Sequence, residues 1–360
     1  MRQVWLEINT RAIEDNCKKI IESTMTDLVA VVKANGFGHG IAQVARACER
    51  AGAKILAVDD FDEAMEIRRS GVSLPVLIFN WMPANFVREM VENDFIYSLY
   101  DIETAKILNE EARRIGKMMK VNLCFDTGMH RFGIMPEDLE DFLKNFNQFV
   151  NLDPEGVFSC FADSNNKEYI NLQIDVFNNM LFQCGQEGIN FKYTHISGSE
   201  SLNNEDALFD TARCGLAIYG YSKILDLDIA LEYKTQILSI KKIPAGVKVG
   251  NGLSYTTEKP TTLAVIAVGY SHGYDKRLSN KAQILVNYKK CLVVGEIGMS
   301  HTIIDITGVP AKIGDDVVLI GRQGEAKIDA SDLAKLIDSS EHEILSRLPR
   351  NIERVYNEGE

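Results

Sequence analysis

The sequence predicts an α/β protein in which an N-terminal (β/α)8 barrel is followed by a C-terminal all-β domain. Two observations support this prediction. Between about residues 28 and 222, short β-rich runs alternate with amphipathic helical patterns. After residue 225 the helical patterns largely stop, and short β runs separated by Gly, Pro and Asn take their place. We therefore expect domains at 1–224 and 225–360.

The predicted barrel strands are short runs rich in β-branched and aromatic residues, and helical patterns with apolar residues at i, i+3 and i+4 lie between them. In a TIM-like barrel the active site lies at the C-terminal ends of the strands, so residues that follow a strand are the functional candidates. A doubly wound open sheet is the alternative, but no GxGxxG follows the first strand. The strands are predicted at 28–34, 55–60, 75–80, 95–101, 120–126, 156–162, 191–197 and 216–221.

The second half of the chain is predicted to form an all-β domain closed by two helices. Its β runs are bounded by turn residues and show no internal repeat. The β runs lie at 235–243, 261–270, 282–287, 290–297, 302–308 and 315–321, and the helices at 329–338 and 340–348.

Composition and charge exclude several classes of function. The chain has 51 acidic and 39 basic residues, which gives a net charge of −12 and argues against a nucleic-acid partner. No run approaches the roughly 20 apolar residues that a membrane helix needs, and the charged N-terminus does not resemble a signal peptide. Seven cysteines without CxxC spacing argue against a disulfide framework and a zinc site. We expect a cytoplasmic protein without a metal.

Lys33 is the first functional candidate. It lies inside the first predicted apolar strand, near its end, within VVKANGFGHG (31–40). A buried lysine is costly unless it is paired or used, and burial favours the neutral amine that Schiff-base chemistry needs. Gly36, Gly38 and Gly40 would let the backbone turn tightly. A structural lysine at a strand end is the alternative for this residue taken alone.

Three other strand ends carry candidate groups. DTGMHRFGI (126–134) presents Arg131, whose planar guanidinium suits a carboxylate, although a surface salt bridge is the alternative. HISGSES (195–201) is rich in small and hydroxyl residues, which suits either a phosphate or an ordinary loop. Arg213, at the predicted last strand, would place a cation near a cofactor ring nitrogen.

Five motifs together resemble the alanine racemase family of pyridoxal-phosphate (PLP) enzymes, in the family's order and spacing over almost the whole chain. The resemblance implies a PLP-binding barrel, a β-domain, a small amino-acid substrate and a homodimer with a shared active site. The motifs are KANGFGHG (33–40), DTGMHRFGI (126–134), ARCGLAIYGY (212–221), GYSHGY (269–274) and GEIGMSHTIIDITG (295–308).

The resemblance also implies roles for the cofactor-binding residues. Lys33 would carry PLP covalently and act as the base on one face of the substrate. Arg213 would hydrogen-bond the pyridine nitrogen and, because it stays charged, keep that nitrogen unprotonated. Ser199 and the backbone of Gly215 and Leu216 would bind the phosphate.

The substrate side of the site is implied in the same way. Arg131 would contact the ring hydroxyl or the substrate carboxylate. The backbone of Met299, contributed by the partner subunit, would complete the carboxylate site, and Tyr270 would contact the substrate.

The chain departs from the family pattern at the second base. The family has a catalytic tyrosine where this chain has Asn251, and asparagine cannot exchange a proton near neutrality. A phosphate-contacting tyrosine is replaced by Phe37. Arg350, near where another such tyrosine is expected, would compensate electrostatically.

Other departures change the surroundings of the ring. Cys124 replaces a lysine that is often carbamylated, Cys160 aligns with a histidine that stacks on the ring, and His272 and Ser300 replace two aspartates. Histidine titrates near working pH, so His272 or His301 is the preferred substitute for the missing base; Cys160 and Tyr255 are less well placed.

The leading prediction is a PLP-dependent amino-acid racemase or epimerase that removes the substrate Cα proton. Asn251 keeps a first alternative open, which is one-base chemistry on the same frame, such as decarboxylation, aldol cleavage, elimination or transamination. A non-catalytic PLP carrier is the second alternative, although bare storage would not require both Lys33 and Arg213.

Overall fold

The computed structural model describes residues 3–357. The chain divides into two compact units, a barrel unit of Ala12–Gly36 with Ile41–Asp228, and a β unit formed by the described residues up to Arg11, Phe37–Gly40 and those from Ile229 onward. The described N-terminal residues up to Arg11 join the β unit because their strand pairs within the C-terminal sheet.

Eight parallel strands form the barrel, as predicted. They are hydrogen-bonded in the order β8-β7-β6-β5-β4-β3-β2-β9, so the first and last strands along the chain are neighbours. Nearly every residue of these strands is buried, as expected for a parallel sheet covered by helices. The strands are β2 (Asp27–Val31), β3 (Ile55–Val58), β4 (Val76–Ile78), β5 (Phe95–Leu99), β6 (Met119–Cys124), β7 (Leu152–Phe158), β8 (Tyr193–His195) and β9 (Thr211–Cys214).

The predicted eighth strand at 216–221 is wrong. The strand is β9, and Leu216–Tyr219 forms a buried 3-10 turn instead. Gly215, with φ −109° and ψ −87°, ends the extended conformation. A short buried apolar run does not distinguish a strand from a helical turn, while the polar residues Thr211 and Arg213 hid the true strand in the sequence.

Helices follow the barrel strands, and their ends carry the expected caps. Asp101 accepts a hydrogen bond from Thr104 N, and Gly116 ends the same helix in the left-handed conformation. The sequence prediction omitted α1 and α7. No helix within residues 3–357 has the length and apolarity needed to cross a membrane. The segments are α1 (Thr10–Thr24), α2 (Lys33–Phe37, a left-handed turn), α3 (Ile41–Ala51), α4 (Phe61–Arg69), α5 (Val87–Glu92), α6 (Ile102–Ile115), α7 (Leu139–Phe146) and α8 (Lys167–Gln186).

The β unit is built on a nine-stranded sheet, and two further short strands, β11 and β12, pair with each other. The long strand β10 pairs with β1, β13 and β17, and β1 also pairs in parallel with the last strand, β19. The strands are β1 (Val4–Asn9), β10 (Leu231–Ile243), β11 (Lys248–Val249), β12 (Tyr255–Thr256), β13 (Thr261–Ile266), β14 (Gln283–Val286), β15 (Lys289–Leu292), β16 (Thr302–Asp305), β17 (Asp316–Gln323), β18 (Ala326–Ile328) and β19 (Glu353–Asn357), with α9 (Ala330–Leu336) and α10 (Glu341–Ser346) as its helices.

Candidate active site

A cavity of about 380 Å³ lies at the C-terminal ends of the barrel strands. Its size is in the range of small-molecule sites, and its position is the one at which barrel enzymes bind substrates. Five aromatic residues and five charged side chains contribute to its wall. Three of the predicted site residues, Lys33, Arg131 and Arg213, lie on this wall together with Cys124 and Cys160.

Lys33 leaves β2 on a strained turn. Ala34, Asn35 and Gly36 are all left-handed, with φ between 53° and 61°. Such a conformation is unfavourable for residues with a side chain, and it is held here because Asn35 Oδ1 accepts from Ile41 N and Asn35 N donates to Glu63 Oε1. The turn fixes the position from which the lysine enters the cavity.

The environment of Lys33 differs from the expected one. A buried lysine at the end of the strand 28–34 was predicted, but β2 ends at Val31 and the Lys33 side chain remains 39% exposed. Its Nζ lies 3.3 Å from Oδ1 of Asp59, which follows β3 and also lines the cavity. Sequence reasoning missed Asp59, although an acidic residue directly after a barrel strand was a usable signal.

Arg213 is a buried cation held from three sides. Its guanidinium donates to His195 Nδ1 and to the Ser159 carbonyl, each at 2.8 Å, and to Cys160 Sγ at 3.0 Å. It also lies over the Phe158 ring, 5.4 Å from the ring centroid. A guanidinium with this many contacts has one orientation, so it presents fixed positive charge at the cavity.

His195 is neutral and serves as an acceptor. Burial, reinforced by the charge of Arg213, holds the pKa of His195 well below its usual value. Its ring stacks on Phe158 at 5.4 Å with planes 6° apart. His195 is the first residue of the motif 195–201. The sequence prediction considered only the small and hydroxyl residues of that motif and missed the role of the histidine.

The two cavity cysteines have different surroundings. Cys124 is buried, and desolvation raises the pKa of its thiol well above the usual range. Cys160 is partly exposed, and its carbonyl accepts from Gln173 Nε2 at 2.9 Å while its sulfur accepts from Arg213. Cys160 therefore contacts the arginine from the position at which the family resemblance places a histidine.

The loop that carries Arg131 is pinned at both ends. Asp126 Oδ1 accepts from Gly128 N and His130 N, each at 3.0 Å. Gly133 returns the chain with φ +128°, and a Cβ there would lie 2.5 Å from Asp126 N. The loop thus has one conformation available, and it leaves the Arg131 side chain exposed at the cavity.

The residues predicted to bind the phosphate lie around the hydroxyl of Ser199. Ser199 Oγ accepts from Gly215 N at 3.1 Å and from Ala217 N at 3.2 Å, at the start of the 3-10 turn that includes Leu216. The serine hydroxyl accepts from both N–H groups, and their expected phosphate contacts stay predictions.

The β unit brings together the remaining predicted residues around a 3-10 turn, Tyr270–His272. Tyr270 N donates to the Gly298 carbonyl, and Gly298 N donates to the His301 carbonyl. Desolvation, with the adjacent His301, lowers the pKa of His272, so the imidazole of His272 is neutral at neutral pH.

Two further residues complete this group. A Cβ built at Gly298 would lie 3.6 Å from Asn251 Nδ2, which places the asparagine beside the same backbone. Met299 accepts from Ser271, and its side chain is 61% exposed while that of Tyr270 is 45% exposed.

Phe37 and Arg350 also belong to the β unit. Phe37 is buried with φ +49°, and its ring centroid lies 5.7 Å from that of His342. Arg350 is exposed, and its carbonyl accepts from Arg354 Nη1 at 3.0 Å. Their expected phosphate contacts stay predictions.

Both halves of the chain match known domains. A family model described as alanine racemase, N-terminal domain, matches residues 8–223, and one described as alanine racemase, C-terminal domain, matches residues 230–356. The chain belongs to the alanine racemase family. As a member of that family it is a PLP-dependent isomerase, so the family, fold class and cofactor predicted from the motifs are confirmed.

Relatives in this family match the chain over nearly its full length. Alanine racemase of Clostridium novyi (strain NT) is 32% identical, over 99% of this chain and 96% of that protein. Alanine racemase 2 of Caldanaerobacter subterraneus subsp. tengcongensis is 34% identical, over 99% and 95%.

Solved structures of alanine racemases have the same fold. The enzyme of Streptomyces lavendulae superimposes with a TM-score of 0.96 at 30% identity, covering 100% of this chain and 98% of that one. The Bacillus anthracis enzyme with bound L-Ala-P gives 0.91 at 30% identity, over 99% and 95%. The Bartonella henselae enzyme with covalently bound pyridoxal phosphate gives 0.89 at 26% identity, over 99% and 100%.

Proposed function

We propose that this alanine racemase family member interconverts the enantiomers of a small neutral amino acid, alanine first among them, with PLP bound covalently to Lys33. The observation that carries the proposal is the amine of Lys33 at the wall of a cavity that also holds the fixed guanidinium of Arg213. The full-length relatives named alanine racemase and the L-Ala-P complex of the Bacillus anthracis enzyme support alanine as the substrate.

The residues present fit PLP. Lys33 supplies an amine for the aldehyde, Arg213 supplies donors for a ring nitrogen, and Ser199 with the N–H groups of Gly215 and Ala217 supplies a site for an anion. The aromatic wall of the cavity suits a flat ring. PLP, when bound, supplies an electron-withdrawing ring that stabilises negative charge at the substrate Cα.

In the proposed mechanism each residue of the barrel unit has one task. Lys33 Nζ takes the Cα proton on one face of the substrate and returns a proton to the same face in the reverse direction. Arg213 stays charged throughout and so keeps a ring nitrogen from being protonated. Arg131, exposed at the cavity, binds the substrate carboxylate.

The proton on the second face needs a donor other than Asn251. An amide does not exchange protons at neutral pH. We assign this task to His272 or His301, which lie close together on the β unit near Asn251. Because His272 is neutral at rest, it can accept the Cα proton on this face in one direction, and once protonated it donates the proton in the other.

We infer that the site is completed by a second copy of the chain. Tyr270 and Met299 both expose large side chains, and exposed apolar surface of this kind is typical of a protein–protein interface. The partner subunit's Met299 would complete the carboxylate site. We also infer a cytoplasmic location, since all seven cysteines are free.

One-base chemistry on the same frame is the second candidate, and Asn251 is the residue that favours it. Loss of the proton donor on one face would leave removal of the Cα proton intact while preventing inversion. Carbon dioxide, ammonia or aldehyde released from an amino acid would identify this alternative.

The proposal is tested by fixing the cofactor to the protein. Purified protein is loaded with PLP, reduced with borohydride, digested and analysed by mass spectrometry. We expect the reduced cofactor on the peptide that contains Lys33 and none on a Lys33→Ala protein. A Lys33→Ala protein that kept the same bound cofactor and activity would contradict the assignment.

A further inference from the structure

The carboxylate of Asp59 is the acidic group next to Lys33. Its Oδ1 lies 3.3 Å from Lys33 Nζ, and both side chains line the same cavity. The position of Asp59 is fixed by the chain, because its N–H faces Glu63 Oε2, its carbonyl accepts from Asn80 N at 3.2 Å, and it directly precedes the helix cap Asp60.

Asp59 has no structural task that explains a charge at this place. Asp60, not Asp59, caps α4 by accepting from Glu63 N. The other cavity carboxylate, Asp126, is occupied by the loop N–H groups of Gly128 and His130. Asp59 is 37% exposed, and the ion pair with Lys33 is its charged contact in the cavity.

We propose that Asp59 is a positioning residue for Lys33, an inference that rests on the proposed function. The carboxylate holds Lys33 Nζ in the cavity by accepting one of its N–H hydrogen bonds, both before and after the nitrogen takes a proton.

The consequence concerns the fate of the proton. When Lys33 Nζ takes the substrate proton, the Cα–H bond breaks, an N–H bond forms, and the new positive charge lies 3.3 Å from Asp59 Oδ1. The carboxylate stabilises that charge until the proton is returned. It also competes with attack by Lys33 on the cofactor, since only the neutral amine attacks.

The size of the effect is limited by solvent. Both partners are more than one third exposed, so the ion pair is screened. Exposed pairs contribute up to about 1 kcal/mol, which corresponds to a change of roughly two- to fivefold in the reactive amine. Arg131 and Arg213, which also line the cavity, disfavour the ammonium form of Lys33. Asp126 is the other carboxylate among the lining residues, and its Oδ1 is occupied by a loop N–H group, so it does not duplicate the effect of Asp59.

The experiment measures the reactivity of Lys33 in cofactor-free, full-length protein. The rate at which an amine-directed reagent labels Lys33 near neutral pH is followed by peptide mass spectrometry and normalised to the exposed Lys106. We expect Asp59→Asn to label about two- to fivefold faster than wild type. Asp59→Glu should keep the wild-type rate, and Asp62→Asn, which removes an exposed charge from the same segment, should not change it.

A second variant keeps the inference testable if Asp59→Asn fails to fold in circular dichroism. Asp59→Ser also removes the carboxylate and leaves a small polar side chain, so it should label Lys33 at the rate expected for Asp59→Asn. Equal labelling of wild type and the folded variant overturns the inference.

The outcomes separate this inference from the proposed function. If borohydride fixes no cofactor to Lys33 in the wild type, the proposed function fails. If the cofactor is fixed there and Asp59→Asn labels at the wild-type rate, only the role of Asp59 is wrong.

Discussion

Arg213 Nη1 lies 2.8 Å from His195 Nδ1, and the imidazole is the acceptor. The pair links the two strands at the edges of the eight-stranded sheet, because His195 ends β8 and Arg213 belongs to β9. The histidine can hold the arginine only while it is neutral, and burial keeps it so by lowering its pKa. Two fixed groups therefore determine where the positive charge of the site lies.

The first prediction concerns this histidine and pH. The pKa of His195 is lowered in the folded state, so below about pH 6.5 the unfolded chain binds a proton that the folded chain does not, and acidification favours unfolding. His195→Gln keeps an acceptor for Arg213 and removes this titration. We expect its Tm to fall by about 2 °C less than that of wild type between roughly pH 7.5 and 5.5.

The control for this measurement is Asn190→Gln, which changes an exposed amide that does not titrate. Its acid-dependent loss of Tm should match that of wild type. Identical acid dependence in wild type and His195→Gln would show that His195 is already charged or is not buried.

The second prediction tests the loop that carries Arg131. Gly133→Ala places a Cβ 2.5 Å from Asp126 N in a conformation with φ +128°, so the loop must move. We expect a loss of about 1–3 kcal/mol in the free energy of unfolding and a raised KM for the amino acid. Gly188→Ala also has positive φ but meets nothing within 4 Å, so it should cost about 1 kcal/mol and leave KM unchanged.

Much of the barrel was predictable because its strands are short apolar runs between helices of clear periodicity. The positions of Lys33 and Arg131 on one cavity agree with the rule that residues after barrel strands share one face, whereas Arg213 lies within β9 itself. The last strand was misplaced because it contains the buried polar residues Thr211 and Arg213. The apolar run that follows it, Leu216–Tyr219, looks like a strand in the sequence but forms a 3-10 turn.

Pairings between distant parts of the chain were not predictable. The strand β1 belongs to the C-terminal sheet through β10 and β19, a contact that no local pattern encodes. The partners Asp59 of Lys33 and His195 of Arg213 were missed for the same reason, since each pair joins residues on different strand ends.

The third prediction concerns the proton donor on the second face. At least one of His272→Ala and His301→Ala should lower racemisation by about 10²–10⁴-fold, while exchange of the Cα proton for deuterium by Lys33 persists. Asn251→Tyr, which introduces an exchangeable hydroxyl, should restore inversion in the impaired variant. Normal racemisation by both histidine variants would contradict the assignment.

The fourth prediction tests the shared site by mixing two inactive proteins. Lys33→Ala and Tyr270→Ala damage different units, so in a mixed dimer one of the two sites contains neither change if the partner subunit's Tyr270 completes it. Refolding the two proteins together should return about a quarter of the wild-type activity. Mixed dimers, verified by mass spectrometry, that have no activity would show that each subunit supplies its own Tyr270.

The most direct test of the central claim is chiral chromatography with mass detection after incubating the PLP-loaded protein with L-alanine in D2O. The account predicts D-alanine carrying one deuterium at Cα, rising until the two enantiomers are equal, and none with Lys33→Ala. Deuterium exchange into L-alanine without any D-alanine, or release of carbon dioxide, ammonia or aldehyde in its place, would contradict racemisation as the reaction of this site.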